Sequence, residues 1–341
     1  MRIVLDAMGS DHCPVPDVEG AVRSARESGD TIILTGDKAA IERELAKYDT
    51  QHLHLEIIHT PQFVTMRDVP SQVWRTKKDT SMAVGMNLVR DGQADAFVTA
   101  GNTGAVLALA TLHTLRRIRG VKRPALSSLI QIRDQTIVLT DLGANADSRP
   151  DWLVQFAIMA SVYADRVIGR KNPRVALLSN GEEEGKGNAL VRETAALLAS
   201  TDLNFIGNVE PKDMLNGAAD VVVADGFAGN IALKSMEAVA DTMFNMLRQE
   251  FTANPLTMLA ALVLRPGLRR IYHQIDPFET GGAPLLGVNG VVIIGHGRTN
   301  AKGIRNAIGQ ARRAVQGRLI DALREGMAHY SSAGDEAEQE R

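Results

Sequence analysis

The sequence predicts an α/β protein with a mainly parallel sheet covered by helices on both faces, a three-layer αβα arrangement. Short apolar runs rich in Val, Ile and Leu recur along the chain, helix-length patterns separate several of them, and no repeat of fixed period interrupts the alternation. Buried strands are expected at 3–5, 32–34, 53–58, 96–98, 137–139, 175–178, 221–223 and 291–294, with helices at 151–164 and 189–199 among those between them. The 341 residues, 45% hydrophobic and 23% charged, suit one two-lobed domain over 1–330. Residues 331–341 are small or charged and are expected to be a disordered tail.

A formal charge of -2 and 4% aromatic residues give neither net attraction nor stacking surface for nucleic acid. The lone Cys13 forms no intrachain disulfide, and the chain runs from Met1 directly into a strand without a signal-peptide pattern, so a cytoplasmic protein is expected.

The strands are followed by segments dense in Gly, Asn and Asp. They are Asp6-Ala7-Met8-Gly9-Ser10-Asp11-His12, Thr99-Ala100-Gly101-Asn102-Thr103-Gly104, Asp141-Leu142-Gly143-Ala144-Asn145, Ser179-Asn180-Gly181 through Asn188, and Asp225-Gly226-Phe227-Ala228-Gly229-Asn230. In open α/β sheets ligands bind beyond the carboxyl ends of strands, where helix N-termini present free N–H groups to anions, so one cleft collecting these loops is expected. The alternative for each loop is an ordinary turn.

Familiar nucleotide and metal motifs fail. Gly181-Glu182-Glu183-Glu184-Gly185-Lys186-Gly187 has three residues between its glycines where a Walker A loop needs four. Gly101-Asn102-Thr103-Gly104 lacks the dinucleotide spacing, so no NAD or other cofactor is expected. His52, His54 and His59 lie in or beside a strand as surface imidazoles, and no metal is predicted. Cys13 beside His12 is read as packing rather than as a nucleophile, because a catalytic thiol usually meets a base from elsewhere in the fold.

Read together, the loops resemble the bacterial phosphate acyltransferases of the PlsX family over nearly the whole chain. The resemblance rests on Leu5-Asp6-Ala7-Met8-Gly9 with Asp11-His12, on Asp141 to Asn145, on Gly181 to Asn188 and on Ile206-Gly207-Asn208-Val209-Glu210. Asp225-Gly226-Phe227 with Gly229-Asn230, and the run from Gly281 to Gly290 leading to His296-Gly297, complete it. Ser10 stands where the family commonly has Gly, and Cys13 where it commonly has Ala. The resemblance implies a fold like that of isocitrate and isopropylmalate dehydrogenases and phosphate acetyltransferase, and a homodimer. It also implies transfer of a long-chain fatty acyl group from acyl carrier protein to inorganic phosphate early in phospholipid synthesis, with a glycerol-phosphate acyltransferase downstream.

Acyl transfer to phosphate depends on positioning and electrostatics, since phosphate already carries a nucleophilic oxyanion and a thioester a good leaving group. Candidate catalytic residues are His12, Lys186, Asn230, Lys234 and His296. The lysines would hold phosphate and the histidines donate to phosphate or oxyanion; the alternatives are solvated lysines and loop-tying histidines. Candidate phosphate or substrate contacts are Gly9, Asn102, Thr103, Gly104, Asn145, Asn188, Asp225, Gly226 and Gly229, with a helix cap the alternative for Asp225.

The apolar run 256–264 is far below the roughly 20 residues that span a bilayer. Flanked by Pro255 and by Arg265, Pro266-Gly267, Arg269 and Arg270, it suits a helical hairpin over 255–272 that dips into an anionic leaflet through Leu256, Leu259, Leu262, Val263 and Arg265. A dimer interface or core helix is the alternative. Rival functions are a phosphate acetyltransferase-like enzyme of short acyl-CoA, a non-catalytic scaffold binding carrier at the membrane, and an NAD-linked dehydrogenase.

Overall fold

A computed structural model describes residues 1–132 and 135–339, leaving aside the side chains of 132, 272–275, 277 and 331–339. The chain begins with β1 (Arg2–Asp6), α1 (Val15–Ser28), β2 (Thr31–Gly36), α2 (Lys38–Leu45), β3 (Leu55–His59), α3 (Pro70–Thr76), α4 (Ser81–Arg90), β4 (Ala96–Thr99) and α5 (Thr103–Ala108), which runs on through a π-helical turn. The middle comprises β5 (Ala125–Ile132), β6 (Gln135–Thr140), α6 (Pro150–Tyr163), β7 (Val175–Leu178), α7 (Ala189–Leu198), β8 (Phe205–Val209), α8 (Pro211–Leu215) and β9 (Val221–Val223). It ends with α9 (Gly226–Thr252), α10 (Pro255–Ile275), α11 (Pro277–Thr280), β10 (Ala283–Leu286), β11 (Val291–Ile294), α12 (Ala301–Gln316) and α13 (Leu319–Gln339).

The strands form one eleven-stranded sheet in the order β3-β2-β1-β4-β11-β10-β5-β6-β9-β7-β8. Side-chain alternation makes the layers. Ile3, Leu5, Ala96, Val98, Val175, Leu177, Val221 and Val223 enter one apolar cluster, and their strand neighbours Val4, Phe97, Ala176 and Val222 enter the other. Gly20 lets α1 meet α12 closely, since a Cβ there would lie 2.5 Å from Ile304 Cβ.

β1 to β4 and β11 are mutually parallel, as are β6, β9, β7 and β8. Antiparallel pairing through β10 and β5 reverses the second set relative to the first. The sheet is mainly parallel, but the carboxyl ends of its two halves face opposite edges. The single row of loops expected from the sequence is thus two rows.

All eight expected strands form, with the third shifted to Leu55–His59. β5, β8 and β10 were not expected, because polar Ser127, Ser128 and Gln131, Gly207 with Asn208, and Pro284 mask their patterns. The segment 255–272 is part of one continuous helix, α10, with Pro266 inside it; the hairpin is made by α9 and α10 together. The side chains of the expected tail, 331–341, lie outside the described residues.

Candidate active site

The loops after β1, β4 and β11 are knitted into one rim. Buried Asp6 accepts the Met8 N–H at 3.1 Å and the Thr99 hydroxyl at 2.9 Å, while Thr99 Oγ1 accepts the Gly101 N–H at 3.0 Å. Burial pushes the Asp6 carboxyl above its usual range, and the hydrogen bonds oppose that rise. Gly9 is required by proximity: a Cβ would lie 2.7 Å from Thr99 Oγ1 and 2.9 Å from the Gly101 nitrogen. The Asp11 N–H donates to the Gly297 carbonyl at 2.8 Å, and the Gly295 N–H to that of Thr99 at 2.7 Å. His12 and His296 therefore stand exposed on adjoining loops.

The second set is organised around Asp141. Its buried carboxylate accepts N–H bonds from Leu126, Leu142, Ala144 and Asn145, and one from the Asn145 side chain at 3.0 Å. Asn145 Nδ2 also donates to the Pro124 carbonyl at 2.8 Å. The start of α9 lies directly on this brace. A Cβ on Gly226 would lie 2.5 Å from the Asn145 carbonyl oxygen, and one on Gly229 would overlap the Asp141 carbonyl oxygen. Asp225 caps α9, accepting from Phe227 and Ala228, both at 2.9 Å.

Helix α9 joins the two sets. Asn230, on its second turn, faces Gly143, where an added Cβ would lie 3.7–3.9 Å from the Asn230 side chain, and Lys234, one turn on, pairs with Glu237 at 3.1 Å. Lys234 also acts on His296, whose pKa is depressed first by the protein packed around it, then by Lys234 and Arg298, with Glu237 and Asp11 opposing. One side of His296 remains open to solvent. Its Nδ1 accepts the Arg298 N–H at 3.1 Å, which assigns the proton of the neutral ring to Nε2. The result is a neutral imidazole N–H donor within the electrostatic field of an ammonium group.

Other expected contacts are occupied structurally. Asn102 caps α5 through the Ala105 N–H and donates to the Asp68 carbonyl at 3.2 Å. Thr103 is exposed on the first turn of α5, and Gly104 lies against Pro70. Asn188 caps α7 through the Val191 N–H, and Lys186 is exposed with its stem against Gly181. These last two sit on the loop after β7, beyond β9 in the sheet. Nearby, carboxylate oxygens of Glu182, Glu210 and Asp213 lie within 4.8 Å of one another, a spacing that can hold a cation, but Lys212 already bridges Glu210 and Glu182 at 2.8 and 3.3 Å. Burial, Asp17 and Asp6 push the Cys13 thiol up to about 11, against a role as nucleophile.

Sequence reasoning quoted Asp6, Thr99 and Asp141 within the loop strings without giving them a role, and did not name Glu237 or Arg298. The available signal was an acid at the end of a strand, Asp6 directly after the run 3–5 and Asp141 one residue beyond the run 137–139, where a carboxylate enters the sheet edge and must collect donors.

A family model described as fatty acid synthesis protein matches residues 1–321. The phosphate acyltransferase of Clostridioides difficile (strain 630) is 42% identical over 341 residues, covering 100% of each chain. That of Alkaliphilus oremlandii (strain OhILAs) is 45% identical over 336 residues, covering 98% of this chain and 99% of the relative. Among solved structures, a phosphotransacetylase from Streptococcus pyogenes shares the fold with a TM-score of 0.59 at 19% identity, covering 92% of this chain and 94% of its own.

Proposed function

The chain belongs to the fatty acid synthesis protein family, that of the phosphate acyltransferases, and on that premise we propose that it transfers a long-chain acyl group from acyl carrier protein to inorganic phosphate. It is an acyltransferase; the donor and the acyl phosphate product are the proposal. A phosphate oxygen attacks the thioester carbonyl carbon, the new C–O bond forms as the C–S bond breaks, and the phosphate proton passes to the departing sulfur. Products are acyl phosphate and free carrier thiol.

The observation that carries this reading is His296, whose Nδ1 accepts the Arg298 N–H and so leaves its own N–H at Nε2, within electrostatic reach of Lys234. Lys234 supplies positive charge for phosphate, and the imidazole N–H stabilises the oxyanion forming on the carbonyl. Asn230 and His12 stand as further donors, and Lys186 as the second cation. Glycines 9, 226 and 229 serve by letting backbone segments approach; Asn145 and Asp225 serve by holding the start of α9. The protein is further proposed to work in the cytoplasm as a homodimer touching the membrane through the far end of the α9–α10 hairpin. Among the described residues no helix is long and apolar enough to cross a membrane.

The test is thiol release from palmitoyl acyl carrier protein with and without phosphate, with hydroxylamine trapping any acyl phosphate. Phosphate-dependent release with trapped product is expected. Turnover of acetyl-CoA alone would replace this donor with a short acyl-CoA, and carrier binding without turnover of either substrate would leave only a scaffold.

A further inference from the structure

Between α5 and β5 the chain carries five cations in eight residues, Arg116-Arg117-Ile118-Arg119-Gly120-Val121-Lys122-Arg123, within a protein of formal charge -2. Ile118 and Val121 are buried while all five cationic residues are exposed, so the segment is a strap pinned by its apolar members. Its backbone is fixed by other elements. The Ile118 N–H donates to the Gly287 carbonyl at 3.0 Å, Asn289 Nδ2 to the Arg117 carbonyl at 2.8 Å, the Lys122 N–H to Gln155 Oε1 at 2.8 Å, and Gln155 Nε2 to the Gly120 carbonyl at 3.0 Å.

The strap lines an open groove of about 790 Å³ that includes Leu112 and Trp152. The Arg123 guanidinium lies 4.9 Å from the Trp152 ring centroid, which sets it in place without a carboxylate. Lys122 pairs with Asp151 at 2.6 Å; among the described residues no carboxylate pairs with Arg116, Arg117, Arg119 or Arg123. The position is as informative as the charge. Pro124, the next residue, accepts from Asn145, and Leu126 donates to Asp141, so the strap ends on the brace beneath α9.

We propose that this strap is the docking surface for an acidic face of the carrier protein that delivers the acyl thioester. The inference rests on the carrier-thioester reading above. Arg116 and Arg117 donate to the Leu112 and Lys122 carbonyls, and guanidinium groups held in this way without a neutralising carboxylate suit a partner rich in carboxylates, steering its approach and fixing its orientation. A carrier seated there would lie against the segment that leads directly into the Asp141 brace beneath α9.

The test compares wild type with Arg117→Glu/Arg119→Glu on two donors, palmitoyl acyl carrier protein and palmitoyl-pantetheine, which lacks the carrier body. The double variant is expected to raise KM for the carrier substrate by about tenfold or more, leave kcat within about twofold, and leave kcat/KM for the pantetheine substrate unchanged. Added salt should narrow the difference on the carrier. Arg119→Gln alone, at an exposed position, decides the matter should the double variant fail to fold, with a smaller rise on the carrier only. An unchanged carrier KM, or an equal loss on both donors, overturns the proposal. So does loss of binding to anionic phosphatidylglycerol vesicles with the carrier KM intact, which would make the strap a membrane surface. Failure of the carrier-thioester reading is distinct, since wild type itself would then not turn over the carrier substrate.

Discussion

Protonating His296 leaves its Nε2–H donor in place but puts a proton on Nδ1, which can then no longer accept the Arg298 N–H that fixes the ring. Its pKa is depressed by the surrounding protein, then by Lys234 and Arg298, so the neutral donor survives to a lower pH than for a free histidine. The acid limb of kcat/KM is expected below the usual histidine value. Lys234→Met should move that limb upward by a fraction of a pH unit, because Lys234 is largely exposed and solvent-screened, and should also raise the phosphate KM. A limb that stays in place removes the coupling. Asp17 gives a prediction about stability. It is buried, accepts the Ser10 hydroxyl at 2.5 Å, and has its pKa pushed up to about 8, first by burial, from an ordinary 3.8. A raised folded-state pKa stabilises most below about pH 4, and that stability is lost as pH rises toward 8. Urea midpoints of the wild type should fall across that window, and Asp17→Asn, which mimics the neutral acid, should flatten the slope. An equal slope in both would place the titration elsewhere. Ser10 was legible as a departure from the family pattern, but its partner was not, since a hydrogen bond across seven residues depends on how α1 leaves the β1 loop.

At the scale of elements, α9 determines whether the two loop sets work together. The sequence revealed its start, through Asp225 and the glycines that follow, but not its 27-residue length or its course from the Asp141 brace toward His296. Length was illegible because α9 buries little: of its residues Gly226 and Gly229 are the buried ones, so no strong apolar face marks it. Gly229→Ala would drive a methyl into the Asp141 carbonyl oxygen, a backbone atom that cannot swing aside. The expected cost is about 1–3 kcal/mol in denaturant unfolding. A loss of kcat/KM of about tenfold or more should accompany it, because a displaced α9 carries Asn230 and Lys234 with it. Full activity in a folded Gly229→Ala protein would show that the close approach does not position the site. Strands tell the same story in reverse. Continuous Val and Ile runs buried on both faces were read directly, whereas β5, β8 and β10 were hidden by serines, a Gly-Asn pair and a proline that only their neighbours in the sheet accommodate.

Across the whole molecule, the αβα layering was legible because alternate strand residues supply two cores, while the reversal of the second half of the sheet was not. Strand direction depends on crossovers and pairings distant in sequence, and the antiparallel β10 and β5 that cause the reversal were among the least legible strands. Among the described residues, the α9–α10 hairpin carries many of the exposed large apolar side chains. Val239, Met243 and Met246 repeat at helical spacing along α9, 58–61% exposed, while Leu256 and Val263 on α10 are 76% and 77% exposed, with Leu259 and Leu262 on the same helix. Two coverings are proposed for these two stripes, a second copy for the first and a lipid surface for the second. Met243→Glu should convert a dimer to a monomer in analytical ultracentrifugation yet leave vesicle binding measurable at high protein concentration. Leu259→Asp/Leu262→Asp should abolish cosedimentation with anionic vesicles, leave the dimer intact, and leave turnover of a soluble carrier substrate within about twofold, since the altered side chains lie on α10, a separate helix from the one bearing Asn230 and Lys234. If instead the α10 variant dissociates the dimer and binds vesicles undiminished, the stripe on α10 is the subunit interface, and the membrane must meet the protein elsewhere.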